Sequence, residues 1–262
     1  MPRDDNWQGQ AAPVLVFDLD GTVLRVNSFP YWALFLIAGS MRGIGASRRV
    51  HLALRAARLV LLRKLRLIDH AALLGGLQRA WSAIPAAMTG ALADPLQTML
   101  LRRIRSNLRP LLQSVASERV DAVLATAAAG EYAQELGRRI GFRHVLATPA
   151  PGHRAARINS GDRKRATVLA FLERAGWQDR PLVLFTDHID DLPLMRKSAL
   201  VCWFGPDARA QEACEEAEGV DFVRCLALDA RQIAAAVAGS GALGGARSEA
   251  PQAARVASIT VS

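Results

Sequence analysis

Two aspartates that directly follow a short apolar run constrain this chain more than any other feature. Residues 14–17 read Val-Leu-Val-Phe, a pattern typical of a strand buried on both faces of a sheet. Asp18 and Asp20 come next, and Gly21 supplies a turn. Because an unpaired carboxylate is costly to bury, two of them at the end of a buried strand need compensation. A divalent cation beside a nucleophile would provide it; the alternative is a strand that simply ends in an Asp-Gly turn.

The chain after residue 110 alternates between short apolar runs and segments of helical pattern. The apolar runs predict strands over residues 121–126, 143–148, 181–186, 200–204 and 222–225. The intervening segments predict helices over residues 111–118, 131–140, 162–175, 190–197, 207–217 and 229–238. Such alternation is typical of an α/β fold with a doubly wound, mostly parallel, Rossmann-like sheet.

Residues 29–105 separate the first two predicted strands and have a purely helical pattern, in which Pro85 and Pro95 are expected to separate helices. We therefore predict an α/β core of residues 13–26 and 107–238, interrupted after its first strand by an all-helical cap of residues 27–106. Residues 1–12 and 239–262 are expected to be disordered tails, since the second is rich in Gly, Ala and Ser.

Positive charge is concentrated in this helical segment. Between residues 27 and 106 there are 12 Lys or Arg and only two acidic residues, in a chain of net charge +9. An apolar stripe recurs at helical spacing, and most of the neighbouring arginines fall on the opposite arc. The stripe comprises Val50, Leu54, Ala57, Leu61, Leu65 and Ile68. The aromatic residues of the segment, which are expected to be exposed, are Phe29, Tyr31, Trp32, Phe35 and Trp81.

This pattern leaves two interpretations open. The stripe could pack inside a solvated, arginine-coated bundle, or the basic cap could form a peripheral contact with an anionic membrane or lipid phosphate. Nucleic acid is a weaker alternative, because no recognition motif accompanies the arginines.

The cysteines and the chain start predict a cytoplasmic protein that could also associate with a membrane. Cys202, Cys214 and Cys225 are odd in number and lack metal-ligand spacing, as in proteins of reducing compartments. Residues 1–10 are polar, so no signal peptide is expected. The longest uncharged apolar stretch, residues 26–41, has 16 residues, fewer than the roughly 20 that a spanning helix needs.

Further polar residues stand at the ends of predicted elements. Thr126 and Asp187 follow predicted strands, Asp191 comes four residues after Asp187, and Lys164 lies near the start of a predicted helix. In a parallel sheet the carboxyl ends of the strands form the usual ligand-binding edge. Carboxylates, a hydroxyl and an amine at that edge suit phosphoryl transfer, which needs a nucleophile, a cation and charge neutralisation.

With these motifs the sequence resembles the haloacid dehalogenase-like phosphohydrolases over about residues 13–228. The motifs occur in the family's order: Asp18-Leu-Asp20-Gly-Thr22, Thr126, Lys164 and Asp187-His-Ile-Asp190-Asp191. The helical insert after the first motif is similar to the cap of the phosphoserine-phosphatase-like branch. Two positions depart from that branch: Thr186 replaces a usual glycine, and Thr126-Ala-Ala-Ala-Gly130 replaces a Ser-Gly-Gly type of turn.

The resemblance implies a role for each matching residue. Asp18 would be the nucleophile that forms an aspartyl-phosphate, and Asp20 the general acid and base. Thr126 and Lys164 would hold the phosphoryl oxygens. Asp187 would bind Mg²⁺ together with the Asp18 carboxylate and the Asp20 backbone carbonyl, and Asp191 would support the metal shell or Lys164.

The implied function is a Mg²⁺-dependent phosphatase that hydrolyses a small-molecule or lipid phosphomonoester. Phosphatidylglycerophosphate phosphatases of the family have a comparable layout, so a lipid substrate is one alternative. A phosphotransferase and a non-catalytic binding module on the same scaffold are two more. The sequence leaves the oligomeric state open.

Overall fold

The protein was examined as a computed structural model that describes residues 12–38, 45–84, 86–151 and 157–243. Its strands are β1 (Val14–Phe17), β2 (Ala122–Ala129), β3 (His144–Thr148), β4 (Leu182–Thr186), β5 (Leu200–Trp203) and β6 (Asp221–Arg224). Its helices are α1 (Ser28–Ile37), α2 (Ala46–Lys64), α3 (His70–Ser82), α4 (Ala86–Leu101), α5 (Arg109–Ala116), α6 (Gly130–Ile140), α7 (Gly161–Arg174), α8 (Leu192–Met195), α9 (Asp207–Glu216) and α10 (Ala230–Leu243). Short 3₁₀ turns precede α5 and α8.

The strands form one parallel sheet of six, in the order β3-β2-β1-β4-β5-β6. β1 lies in the middle, with Leu15 opposite Ala122 on one side and Val183 on the other. All four residues of β1 are buried, as the apolar run predicted. The predicted doubly wound α/β fold is confirmed. The predicted tails fall mostly outside the described residues, although α10 extends beyond its predicted end to Leu243.

Helices α1 to α4 occupy the chain between β1 and β2, where a purely helical segment was predicted. They are packed onto the core, because one apolar cluster runs from Leu15 and Phe17 of β1 through Trp32 of α1 and Leu77 of α3 to Tyr132 of α6. The rings of Trp32 and Tyr132 are 5.3 Å apart. The helical segment and one face of the sheet therefore share a single hydrophobic core.

Pro95 was expected to separate two helices but lies inside α4. A proline removes one helical hydrogen bond and crowds the preceding turn. The residues that follow, Leu96 and Leu100, are both buried in the shared core, and their burial offsets that cost. Pro85, the other predicted breaker, lies outside the described residues.

The expectation of exposed aromatic residues was also wrong for most of them. Trp32, Phe35 and Trp81 are buried, whereas Phe29 and Tyr31 are half-buried against the same core. Their size explains this outcome, since aromatic side chains supply large apolar areas to a core.

Helix α2 turns a different face to the core from the one that its apolar stripe suggested. Its buried residues are Leu52 and Ala56. The exposed fractions of the stripe residues are 57% for Val50, 66% for Leu54, 54% for Leu61 and 58% for Leu65. The interpretation in which the whole stripe packs internally is therefore wrong. Within the described residues, no helix combines the length and apolar character needed to cross a bilayer.

Replacing Trp32 by alanine tests whether the helical segment and the sheet share one core. We expect Trp32→Ala to lower the free energy of unfolding by about 3–5 kcal/mol, the usual cost of emptying a buried tryptophan site. Leu34→Ala, an exposed position on the same helix, should change it by less than about 0.5 kcal/mol. Urea denaturation followed by circular dichroism measures both. A separate early transition for the helical segment in the wild-type protein would contradict the shared core.

Candidate active site

The predicted carboxylates meet at the carboxyl edge of the two central strands. β1 and β4 are parallel neighbours with Phe17 opposite Phe185. Asp18 directly follows β1, and Asp187 directly follows β4. The strand ends therefore bring the first and last motifs together across a gap of more than half the chain.

Lys164, in the first turn of α7, joins two of these carboxylates. Its Nζ lies 2.8 Å from Asp18 Oδ1 and 2.7 Å from Asp191 Oδ1, and its side chain is only 4% exposed. Thr186 donates a hydrogen bond of 2.7 Å from its hydroxyl to Asp191 Oδ2. The unusual threonine before Asp187 thus fixes the carboxylate that holds the lysine.

The structure distinguishes Asp191 from its neighbour Asp190. Asp191 is buried against Lys164, whereas the Asp190 side chain is 62% exposed beside His188. The arginines next to Lys164 differ from it in the same way, since Arg163 is exposed and Arg165 is half-buried in an ion pair with Asp162. Only the central residue of Arg163-Lys164-Arg165 reaches the carboxylates of this edge.

Burial dominates the electrostatics of the site. It raises the pKa of Asp18; Lys164 opposes this shift, and the Asp191 and Asp187 carboxylates raise the pKa further. Burial also raises the pKa of Asp187, against a hydrogen bond from Thr22. The pKa of Lys164 is raised above its usual value, because Asp18 and Asp191 more than offset the lowering by burial. The cluster therefore holds more carboxylates than cations.

Asp20 is held by the first residue of the helical segment. The backbone N–H of Ser28 donates a hydrogen bond of 2.8 Å to Asp20 Oδ1. The Ser28 hydroxyl lies 2.7 Å from the hydroxyl of Tyr132. Burial raises the pKa of Asp20 to about 6, although the hydrogen bonds from Ser28 oppose this shift. The position of α1 therefore bears directly on this carboxyl group.

The turn after Asp20 is shaped around Asp187. Thr22 donates from its hydroxyl to Asp187 Oδ1 at 3.1 Å. Gly21 has a φ of +77°, and a Cβ there would overlap the Asp187 carboxylate. The guanidinium of Arg105 donates to the carbonyl oxygens of Gly21 at 2.6 Å and Thr22 at 2.9 Å. A glycine is thus required at this turn, and Arg105 fixes its backbone.

Thr126 lies at an irregular point of β2. Pairing with β3 shifts register between Ala125 and Ala129, and the buried Thr126 hydroxyl accepts a hydrogen bond of 3.1 Å from the Ala128 N–H. The carbonyl of Thr126 accepts one of 3.3 Å from Asn159 Nδ2. Among the described residues it has no hydrogen bond to the other predicted site residues.

A second polar cluster, the junction cluster, lies between α3 and the start of α6 and comprises Gln78, Glu131 and the Pro149 carbonyl. Gln78 Nε2 donates to Glu131 Oε2 at 2.9 Å and to the Pro149 carbonyl at 3.1 Å. Gln78 Oε1 and Glu131 Oε1 are buried without a hydrogen-bond partner among the described residues. Buried polar groups are normally paired, so this cluster has unused capacity to accept hydrogen bonds.

Sequence reasoning missed several residues that shape the site. Arg105 and Asn159 donate to backbone oxygens of residues distant in sequence, and Ser28 donates to Asp20 from its own backbone N–H, so no side-chain pattern marks them. In the sequence, Thr186 stands out only as a departure from the family pattern. A hydroxyl at the end of a buried strand nevertheless indicates a polar partner, which is the Asp191 carboxylate.

The donor set also fits a hard divalent cation. Within the described residues, no three His, Cys, Asp or Glu side chains converge as a complete metal site. Mg²⁺ does not require one, since it is commonly held by one or two carboxylates with waters and substrate phosphate. The Asp187 carboxylate raises the pKa of Asp18 at this sheet edge, and a bound cation would offset the repulsion between the carboxylates.

The sequence matches the family model of the haloacid dehalogenase-like hydrolases over residues 15–196. The chain belongs to this family. Its helical segment, its sheet edge and the motif residues all fall inside the matched region. No curated protein matches the sequence.

Several solved structures share this fold. A protein of unknown function from Bordetella pertussis Tohama I has 18% identity and a TM-score of 0.63, covering 82% of this chain and 99% of its own. A substrate-bound phosphoserine phosphatase complex has 9% identity and a TM-score of 0.50, covering 87% of this chain and 99% of its own. A phospho-aspartyl intermediate analogue of phosphoserine phosphatase gives the same values. At these identities the likeness concerns the fold.

Replacing Lys164 tests whether its ammonium group balances the buried carboxylates. In magnesium-free buffer, Lys164→Met should lower the free energy of unfolding by about 3–5 kcal/mol, because it leaves Asp18 and Asp191 without their shared cation. Arg163→Met, the exposed neighbour, should change it by no more than about 0.5 kcal/mol. Chemical denaturation measures both. Equal losses in the two variants would mean that Lys164 is an ordinary solvated residue at the start of α7.

Proposed function

We propose that this hydrolase is a Mg²⁺-dependent phosphatase that cleaves a phosphomonoester through an aspartyl-phosphate on Asp18. The observation that carries the proposal is the pairing of Asp18 with a buried lysine while Asp20, two residues on, is held separately by Ser28. Two carboxyl groups in different environments suit two different roles. The family and its phosphoserine phosphatase fold relatives are consistent with this chemistry.

In the first half-reaction the Asp18 carboxylate attacks the phosphorus atom. An O–P bond forms to Asp18 and the ester P–O bond breaks. Lys164 holds Asp18 Oδ1 at 2.8 Å, which leaves Oδ2 as the attacking atom. The Asp20 carboxyl group gives its proton to the leaving oxygen, so the product departs as an alcohol.

In the second half-reaction Asp20, now a carboxylate, takes a proton from water. The water oxygen attacks phosphorus, the bond to Asp18 breaks, and inorganic phosphate leaves. A pKa of about 6 for Asp20 suits both steps near neutral pH, because an efficient proton donor and acceptor has a pKa near the working pH.

Thr126 and Lys164 are proposed to hold the phosphoryl oxygens. The Thr126 oxygen already accepts from a backbone N–H, so its own hydroxyl proton is directed elsewhere and can be donated. The ammonium group of Lys164 offsets charge that develops on the phosphoryl group. Asp191 keeps that ammonium group in place.

Mg²⁺ would be held by the carboxylates of Asp18 and Asp187 and by the backbone carbonyl of Asp20. When bound, it supplies positive charge beside the phosphoryl group and screens the carboxylates from each other. Gly21 leaves room for the Asp187 carboxylate, and Thr22 donates a hydrogen bond to it. Asp191 supports these metal ligands indirectly, by holding Lys164 beside Asp18.

We further propose that residues 27–106 act as a cap over a core of residues 13–26 and 107–238. Ser28 and the junction cluster connect this segment to the core beside Asp20. The unpaired oxygens of Gln78 and Glu131 favour a small phosphomonoester whose leaving group carries a hydroxyl or amino group. The three free cysteines favour a cytoplasmic enzyme.

A lipid phosphomonoester, such as phosphatidylglycerophosphate, is the second candidate substrate. The observation that favours it is the row of exposed leucines and arginines on α2. Phosphate release from lipid monoesters in mixed micelles and from a panel of soluble monoesters separates the candidates. Addition of an alcohol acceptor to the same assay separates a phosphotransferase from a hydrolase.

The nucleophile is tested by Asp18→Asn. We expect this variant to lose Mg²⁺-dependent hydrolysis of p-nitrophenyl phosphate on the order of 10³-fold or more, since the amide cannot form the aspartyl-phosphate. Asp190→Asn, an exposed aspartate of the last motif, should retain the wild-type rate. Undiminished activity of Asp18→Asn would refute the proposed nucleophile, and a wild-type protein inactive on every monoester would favour a binding module.

The metal site is tested by binding rather than turnover. Isothermal titration of the metal-free protein with MgCl₂ should show affinity reduced at least about tenfold in Asp187→Asn, because a carboxylate ligand becomes a neutral amide. Asp190→Asn serves again as the control and should bind Mg²⁺ as the wild type does. Equal affinities in all three proteins would remove Asp187 from the metal site.

A further inference from the structure

Helix α2 presents an apolar row directly away from the core of the protein. Val50, Leu54, Leu61 and Leu65, the C-cap residue, recur at spacings of four or seven residues, so they lie on one side of the helix. Leu52 and Ala56, which α2 buries, lie on the opposite side. Single exposed leucines are common on proteins, but a valine and three leucines in one row along a helix form a continuous apolar surface.

Basic side chains border this row. An open depression beside Leu54 is lined by His51, Arg55 and Arg58, and Arg48, Arg63, Lys64 and Arg66 are exposed along the same segment. Over residues 45–84 of the described chain, the only acidic residue is Asp69. Its carboxylate caps the start of α3 by accepting from the Ala72 N–H.

The arginines of α2 are not used to hold the fold. In the described part of the chain the ion pairs of Arg and Lys lie on other elements, such as Arg139 with Asp94 and Arg180 with Asp121. A cluster of cations without anionic partners creates a positive surface potential that attracts external anions. The positive charge and the apolar row are therefore together complementary to a ligand that is both anionic and apolar.

We propose that the outward face of α2, defined by Val50, Leu54, Leu61 and Leu65 with Arg55 and Arg58, is a docking surface for an anionic lipid bilayer. A helix with a leucine row and flanking arginines lies in the plane of the interface, with the leucines among the acyl chains and the guanidinium groups among the phosphates. A soluble anionic protein would match the charge but would need a complementary groove to bury the valine and the three leucines.

The surface is separate from the active-site machinery. None of its residues contacts Asp18, Asp20, Lys164 or Asp187 in the described structure, and α2 packs on α1 and α3 rather than on the sheet. The proposal therefore stands or falls independently of the catalytic one, and it applies to a soluble or a lipid substrate alike.

Vesicle co-sedimentation of the full chain tests the proposal. The vesicles contain equal parts phosphatidylglycerol and phosphatidylcholine, with pure phosphatidylcholine vesicles as the neutral comparison. We expect binding to the anionic vesicles at low salt that weakens as salt is added, because the phosphate–arginine attraction is screened. Asp18→Asn should bind as the wild type does, which keeps lipid binding distinct from catalysis.

Two pairs of variants locate the surface. Leu54→Gln/Leu61→Gln should reduce partitioning at least about tenfold, since two leucines no longer leave water. Arg55→Gln/Arg58→Gln should reduce it about 30-fold at low salt, at roughly fivefold for each arginine near an anionic surface. The matched controls are Leu226→Gln and Arg209→Gln/Arg231→Gln, which change exposed residues on the core. Leu226→Gln should alter partitioning less than about threefold. Arg209→Gln/Arg231→Gln should reduce partitioning less than Arg55→Gln/Arg58→Gln does.

Three outcomes would overturn the proposal. The first is no binding of the wild type to anionic vesicles at low salt, and the second is equal binding of the α2 variants and the wild type. The third is a lipid-free dimer, seen by analytical ultracentrifugation, that Leu54→Gln/Leu61→Gln converts to a monomer, because the row would then be covered by a second copy. Circular dichroism of each variant verifies that α2 remains folded.

Discussion

The site depends on one buried cation shared by two carboxylates. The ammonium group of Lys164 is removed from water, and only its contacts with Asp18 and Asp191 make that position tolerable. The same contacts stabilise the buried carboxylates of Asp18, directly after β1, and of Asp191, in the turn after β4. Thr186 completes the arrangement by donating to Asp191 Oδ2, which Lys164 also contacts. At the carboxyl edge of β1 and β4, the buried charges of Asp18, Lys164 and Asp191 therefore stabilise one another.

Much of this unit could be predicted from sequence because its members sit at the ends of regular elements. The apolar run before Asp18 and the alternation of strands and helices after residue 110 indicated a parallel sheet, and a parallel sheet places strand ends at one edge. The spacing from Asp187 to Asp191 selected the buried residue of the Asp190–Asp191 pair. Ser28 could not be predicted, since it acts through a backbone N–H that nearly every residue carries. Arg105 could not be predicted, since it donates to the Thr22 carbonyl 83 positions away.

The helical segment shows where periodicity stops being informative. A spacing of three and four residues indicates that α2 has an apolar side, but it does not say whether that side meets the core or the solvent. Leu52 and Ala56 lie outside the stripe and are the ones buried, although leucines also occur in the exposed stripe, so residue type alone does not identify the buried side. Pro95 inside α4 is a second case, since the burial of the residues after it outweighs the cost of a proline within the helix.

The central place of β1 in the sheet affects how the chain is made. Its neighbours begin at Ala122 and Leu182, so a ribosome must extend the chain well past its midpoint before the strand is paired on both sides. Contacts so distant in sequence form slowly, and an unpaired apolar strand is prone to aggregation. The helices that follow β1 contact Leu15 and Phe17 through the shared core and are available much earlier in synthesis. The helices that pack on β1 in the finished protein can thus also cover this strand during synthesis.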